Sequence, residues 1–376
     1  MRTRRKLVAR ARGSLFWTIA IAVAAQAALL LFERYAMPDL HDPEYDHRDE
    51  VLRQALADNP GRPLVLVLGS SRVALGLQPR VIEKWQMPTG EQPFVFNFSI
   101  PGSGSLRELI WLKRLLHEGI HPDRVLLECW PPLITGDFGD KETAFVSGNS
   151  LRLDDLWVLR GYACEPMEMF DDWLTARTFP CYGDRAALLA RLAPTWLPPS
   201  YTVPDHMVMR QIDCFGALPT PDKPPPQDYR RRLLASDRQA YGDKIAHWRL
   251  SETSERAIRA TLDLCRFRGI PAALLLMPES SEMLDWYSQA ARAELEQFLD
   301  RLRSEDQAAL VDTRHWITSS DFFDSHHLAR DGAEAFTRRF GREVLPRLFM
   351  KGPNERRTLL ASGSGRDAGG GRPGNN

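Results

Sequence analysis

Cysteine is scarce in this chain, and none of it is spaced to hold a metal. Five cysteines (Cys129, Cys164, Cys181, Cys214 and Cys265) occur in 376 residues with no Cys-x-x-Cys pair, which excludes a zinc ribbon or an iron–sulfur framework. Cys164 and Cys181 flank a short segment and leave two readings open, a disulfide formed in an oxidising compartment or two free thiols. Cys265 falls on the apolar face of an expected helix and reads as core. A Gly-rich phosphate loop is missing too, so neither a metal nor a nucleotide cofactor is expected. Net charge is also lacking: 49 Lys and Arg balance 49 Asp and Glu. The balance is uneven, with six basic residues and no acid in 1–12, and a net +3 in 351–376, leaving −9 for residues 13–350. A body of that sign lacks the basic face that nucleic acid requires. No internal repeat is visible.

Long apolar runs are equally rare, with one exception. Leu15 to Phe32 is an uncharged stretch of 18 residues, just long enough to cross a bilayer as a helix. The basic residues ahead of it and Glu33 after it place the N-terminus in the cytoplasm and the rest beyond the membrane. A cleaved signal peptide is the competing reading, because Ala22-Val23-Ala24 resembles a cleavage site. Leu29-Leu30-Leu31-Phe32 carries the apolar run past that point, which favours an uncleaved anchor. The segments that follow are a basic cytoplasmic stretch (1–14), the transmembrane helix (15–32) and a polar juxtamembrane linker (33–61). The His/Asp/Glu cluster in His41-Asp42-Pro43-Glu44-Tyr45-Asp46-His47-Arg48-Asp49-Glu50 reads as solvated linker or helix start, since nothing fixes those groups on one face.

From residue 64 apolar runs alternate with helical periodicity. Strands are expected at 64–68, 94–98, 125–128, 272–277 and 308–311. Helices are expected over "PRVIEKW" (79–85) and at 106–118, 251–268, 285–303 and 329–347. Five strands interleaved with helices predict an α/β fold, a doubly wound, flavodoxin-like parallel sheet. The stretch 133–250 breaks the pattern, with nine prolines between Pro194 and Pro226, and reads as an irregular insertion after the third strand. Residues 62–350 thus form one domain with that insertion, and 351–376, rich in Gly, Ser, Arg and Asn, read as a disordered tail.

Three blocks carry chemistry, each at the end of a strand or the entry to a helix: Gly69-Ser70-Ser71-Arg72 after strand one, "NFSIPGSG" (97–104) after strand two, and "DSHHLARDGAEAF" (324–336) before the last helix. Serine is inert at its own pKa, so a nucleophilic serine needs an imidazole within hydrogen-bond reach and an acid to orient that ring. Ser71, His327 and Asp324 supply those three roles; His326 is the less favoured base. Arg72 fits two roles, binding an anionic group of the substrate or pairing with a carboxylate at the sheet rim. Glu128 reads as a polar strand end with no catalytic role, and the serines of "MPESSEM" (277–283) as loop and helix-cap residues.

In order and spacing these blocks resemble those of the SGNH (GDSL-type) hydrolase superfamily, over about residues 62–347 apart from the insertion. Gly69-Ser70-Ser71 is similar to its Gly-Asp-Ser block with Ser70 in place of Asp, which implies Ser71 as nucleophile. Asn97 to Gly102 is similar to its Asn-x-x-x-x-Gly block. The resemblance implies that the Ser71 and Gly102 N–H groups form the oxyanion hole. Asp324-Ser325-His326-His327 is similar to its Asp-x-x-His block, implying His327 as base and Asp324 as its partner. The chain departs from the pattern after strand three, where Glu128-Cys129-Trp130-Pro131-Pro132 stands in place of Gly-x-Asn-Asp. Together with the anchor, the resemblance implies a membrane-bound, periplasmic or otherwise extracytoplasmic esterase or O-acyltransferase acting on acyl esters of an envelope or exported polysaccharide. It implies a membrane acyltransferase as partner. The alternative is an inactive component of an envelope assembly that keeps the fold.

Overall fold

A computed structural model of the chain describes residues 2–36, 42–87, 90–145, 148, 150–163, 165–179, 189, 193–196 and 211–349. In chain order its elements are α1 (Arg2–Ala36), α2 (Pro43–Asp58), β1 (Leu64–Leu68), α3 (Ser71–Gly76), β2 (Phe94–Asn97), α4 (Ser105–His117), β3 (Arg124–Glu128) and α5 (Gly136–Gly139). They continue with α6 (Leu153–Leu159), α7 (Pro166–Thr178), α8 (Gln227–Ala246), α9 (Glu252–Phe267), β4 (Ala272–Leu276), α10 (Ser281–Leu284), α11 (Gln289–Ser304), β5 (Ala309–Asp312), α12 (Arg330–Glu343) and α13 (Leu345–Phe349). The chain divides into two compact units, Met1–Glu50 with Thr143–Gln211, and Val51–Glu142 with Ile212–Asn376.

The first unit holds α1, the first half of α2, α6 and α7. Arg12–Phe32 within α1 is long and apolar enough to cross a membrane, and none of it is buried. Leu15, Phe16, Trp17 and Ile21 each leave more than half of their surface exposed. Elsewhere in this unit Trp173 and Arg177 of α7 donate to the carbonyl of Leu151 at 3.0 and 2.8 Å, and Arg152 lies over the ring of Tyr45 at 4.9 Å.

The second unit is built on a five-stranded sheet, all parallel, in the order β2-β1-β3-β4-β5. That is the flavodoxin-like order, with its topological switch beside β1. The strands are runs such as Leu64-Val65-Leu66-Val67-Leu68 that are buried throughout, as a parallel sheet covered on both faces requires. Alternate residues supply the two layers. Val65, Val67, Val95, Leu126, Leu275 and Val311 pack with Phe336 and Phe340 of α12. On other elements α4 packs on α9, and these helices meet β3 and β4. The expected periodicity of α9 holds: Ile258, Thr261, Leu262 and Cys265 are buried, Ser251 caps its first turn through Ser254 N, and Gly269 follows its end at φ +69°.

Four expectations need correction. The polar stretch 33–61 contains α2, whose Leu52 and Ala55 are buried, so it is largely helix and not linker. The stretch expected to be irregular, 133–250, contains α5 to α8. Its prolines stop at Pro226, the N-cap of α8, and leave 20 residues free to wind. Over "PRVIEKW" only Pro79–Ile82 is helical, as a 3₁₀ turn. The last helix is interrupted after Glu343, because Pro346 lacks the N–H that would continue its ladder. Cys164, Cys181 and the tail 351–376 lie outside the described residues.

Candidate active site

The turn after β1 is shaped by close approach. A Cβ on Gly69 would come within 2.6 Å of Val73 and 2.8 Å of Glu128, so only glycine fits. Ser70 then caps α3 by accepting the Arg72 N–H, which makes Ser71 the first residue of the helix, half-buried at the carboxyl end of β1. Asn97, at the end of β2, holds this helix from below: its Nδ2 donates to Val73 O at 2.8 Å and Leu77 O at 2.9 Å.

The second block is tied to the first through the Gly69 carbonyl, which accepts Ile100 N–H at 3.0 Å and Ser103 Oγ–H at 2.7 Å. Most amides of the two turns are occupied. Ser70 N–H goes to Glu128, Arg72 N–H to Ser70 Oγ, Ser103 N–H to Ile100 O and Gly104 N–H to Glu142. The amides of Ser71 and Gly102, the two expected oxyanion donors, carry no hydrogen bond among the described residues. Gly102 sits at φ +72°, a conformation that favours glycine.

The third block is a tight turn organised by its own aspartate. Asp324 Oδ1 accepts the N–H groups of His326 (2.9 Å) and His327 (2.7 Å), while Oδ2 lies 2.7 Å from His327 Nδ1. His327 Nε2 lies 2.8 Å from Ser71 Oγ. The structure thus brings Ser71, His327 and Asp324 into one hydrogen-bonded chain. The aspartate accepts, so Nδ1 carries the proton and Nε2 is left to take one from the serine. Burial pushes the Asp324 carboxyl up, but the bond to His327 and the nearby imidazoles outweigh it and hold the group well below the ordinary carboxylate range. Asp324 is therefore ionised, as an imidazolium partner must be.

His326 takes no part in the hydrogen-bonded chain to Ser71. Its ring stacks on Trp130 (4.9 Å between centroids, 26°), meets Tyr241 edge-on at 5.4 Å and lies 4.1 Å from the His327 ring. Its Nδ1 contacts Ser325 Oγ at 2.8 Å, and Ser325 Oγ donates to Asp237 of α8 at 2.8 Å. Burial, then the neighbouring His327, lowers its pKa well below 6.5, so the ring is neutral.

Arg72 does not line the site. It is 2% exposed and donates to Met277 O (2.9 Å) and Pro278 O (2.7 Å) at the end of β4. It faces Glu128 at 3.5 Å and Glu279 at 3.8 Å and lies 4.9 Å from the Trp130 ring. Of the two roles open to it, the ion pair at the sheet rim is the one observed, and substrate binding is not. Glu128 in turn has a positioning role that was not expected, since it anchors both the Ser70 amide and Arg72. Asp237 and Tyr241 were missed altogether, because α8 lay in the stretch read as irregular. Among the described residues Asp324, His326 and His327 also stand close enough to share a cation. Both Asp324 oxygens, both His327 nitrogens and His326 Nδ1 are already hydrogen-bonded, so the cluster fits proton transfer better than a metal.

Residues 18–182 match a family of proteins of unknown function (DUF1574), a stretch that takes in α1 from Thr18 onward, the sheet as far as β3, the Ser71 turn and α5 to α7. A second family match, which carries no functional description, covers residues 236–349 and so includes Asp237, Asp324, His326 and His327. No curated protein matches the chain.

Proposed function

We propose that this protein is a membrane-anchored, extracytoplasmic serine esterase or O-acyltransferase of the SGNH type, acting on acyl esters of an envelope or exported polysaccharide. The observation that carries the reading is the chain Ser71 Oγ, His327 Nε2, His327 Nδ1, Asp324 Oδ2, with contacts of 2.8 and 2.7 Å. In the first step Ser71 Oγ attacks the ester carbonyl and its proton passes to His327 Nε2. Asp324 stabilises the imidazolium, and the unoccupied amides of Ser71 and Gly102 face the task of holding the oxyanion. The C–O bond to the leaving alcohol breaks as His327 returns the proton to it, leaving acyl-Ser71. Water or a sugar hydroxyl then repeats the sequence in reverse, giving hydrolysis or transfer.

Location supports the substrate class. Six Arg and Lys residues precede the apolar stretch Leu15–Phe32, which directs the following domain away from the cytoplasm. An anchor confines the site to the membrane surface, where nascent glycans emerge and a membrane acyltransferase is placed to hand acyl groups across. The resemblance to anchored polysaccharide O-acetylation proteins points the same way.

A second reading rests on the block after β3. With Glu128-Cys129-Trp130 there, this block offers no Asn to the oxyanion, and losing one such donor costs about 10²–10³ in rate. Cys129 offers no substitute nucleophile, since burial and the carboxylates of Glu108 and Glu128 push its thiol up to about 12. That reading is a non-catalytic envelope component with the same fold. One experiment separates the two: a fluorophosphonate probe applied to the full-length protein in detergent. Labelling that disappears in Ser71→Ala supports the enzyme; no labelling of the wild-type chain overturns it. Deleting the gene and measuring ester-linked acyl groups on surface glycans tests the substrate, and an unchanged amount overturns the glycan assignment.

A further inference from the structure

We propose that His326 binds the acyl acceptor, by accepting a hydrogen bond from a second O–H beside the one that reacts; this rests on the esterase or acyltransferase reading above. The protons around Ser325 fix the tautomer of the ring. Asp237 Oδ2 accepts both the N–H (3.1 Å) and the Oγ–H (2.8 Å) of Ser325. Serine has a single hydroxyl proton, so the 2.8 Å contact between Ser325 Oγ and His326 Nδ1 needs its proton from the imidazole. Two carboxylates hold that proton on the same nitrogen, Asp324 Oδ1 at 3.6 Å and Asp237 Oδ2 at 3.8 Å. In a neutral ring with Nδ1 protonated, Nε2 carries a bare lone pair.

That lone pair is unused. The side chain is buried, 5% exposed, yet Nε2 takes no hydrogen bond from any described residue and is not one of the fully sealed atoms left without a partner, as the indole Nε1 of Trp130 is. Stacking on Trp130 and the edge of Tyr241 fix the ring, so the acceptor is preorganised. Its neighbour is His327, with ring centroids 4.1 Å apart.

The deacylation step gives the lone pair its use. The acceptor oxygen attacks the carbonyl of acyl-Ser71 while its proton moves to His327 Nε2. The tetrahedral intermediate then collapses, the bond to Ser71 Oγ breaks, and His327 returns the proton to that oxygen. A simple alcohol has no further O–H to offer. Water has one, and so does a vicinal diol such as two adjacent sugar hydroxyls. Either satisfies His326 Nε2, and an acceptor that covers it without donating leaves a desolvated lone pair unpaired.

The test is a partition ratio. Full-length protein in detergent is acylated with p-nitrophenyl acetate in the presence of cyclohexanol or trans-1,2-cyclohexanediol, and ester products are counted per hydroxyl. The wild-type chain favours the diol by roughly three- to tenfold, the worth of one hydrogen bond. His326→Phe keeps a ring on Trp130 and brings the ratio to about one. His326→Gln, whose amide oxygen is an acceptor, retains most of the preference. Ser325→Ala, which releases the tautomer, lowers it should His326→Phe fail to fold. The ratio is taken within each variant, so altered acylation rates cancel. A wild-type ratio near one, or a preference that survives His326→Phe, overturns the proposal. Fluorophosphonate labelling of Ser71 in the same wild-type preparation reports the parent reading separately: labelling without a diol preference sinks this inference alone, and absent labelling sinks both.

Discussion

Glu128 Oε2 accepts the backbone N–H of Ser70 at 2.6 Å, so the last residue of β3 holds the turn that presents Ser71 from β1. Its other oxygen faces the buried Arg72 at 3.5 Å. Glu128→Ala leaves a buried guanidinium with half its counter-charge and an amide without a partner, and is expected to destabilise the fold by about 3 kcal/mol. Glu128→Gln, which still offers an oxygen to Ser70, costs less. Urea unfolding of the two variants checks the order; equal losses overturn the hydrogen-bond assignment.

Asn97 supplies the other support of α3. Replacing it by Ala leaves the Leu77 carbonyl without the donor it now has and takes from the Val73 carbonyl the second of its two bonds, the Leu77 N–H remaining at 3.0 Å, at a cost of about 2 kcal/mol. Asn97→Asp is no better, because a carboxylate cannot donate to a carbonyl. A thermal melt in which either variant matches the wild-type chain contradicts this role.

Asp324→Asn is expected to keep the turn, since an amide oxygen still accepts the His326 and His327 N–H groups. The side-chain nitrogen would then face His327 Nδ1 and force the wrong tautomer, lowering turnover by about 10⁴-fold. Release of nitrophenol from p-nitrophenyl acetate measures it, and a loss of less than tenfold removes Asp324 from its assigned part.

His326 makes stability fall on the acid side. Its folded-state pKa lies well below 6.5, so below about 6.5 the unfolded chain takes up a proton that the folded chain refuses. Stability then drops by up to about 1.4 kcal/mol per pH unit as pH falls from there. Asp324, depressed in the fold, adds its own loss only in strong acid. His327, Asp237, Asp324 and Arg72 surround the ring in both the wild-type chain and His326→Phe, so the variant isolates the imidazole. Its denaturation midpoint is expected to be flatter between pH 6.5 and 4.5, and an unchanged slope contradicts the assignment.

Topology is tested by a reporter active only outside the cytoplasm, fused after residue 350. Activity is expected, because positive charge is concentrated before Leu15. An inactive fusion of a folded protein removes the extracytoplasmic assignment.

What was legible in the sequence was local. Leu64 to Leu68 announces a buried strand because no polar residue interrupts it, and the other four strands follow the same rule. Asp324 and His327 are readable because the carboxylate that orients the ring also closes the turn between them. Arg72 was ambiguous for the opposite reason. Whether it faces substrate or interior is decided by Glu128 and Glu279, which β3 and β4 bring to it from far along the chain. Asp237 gave no signal at all: α8 is mostly polar, and nothing in its residues marks the position that meets Ser325.

Glu142 reaches across to the first turn of α4 and accepts the amides of Gly104, Leu106 and Arg107 at 3.0 to 3.1 Å. A Cβ on Gly104 would lie 2.7 Å from that carboxyl group. Keeping Glu142 therefore requires glycine at 104. A side chain at 104 expels the carboxylate, and a shorter residue at 142 opens the space that such a side chain would fill. The constraint runs one way: Gly104 tolerates a change at 142, but sequences in which Gly104 has been lost should have abandoned the glutamate as well.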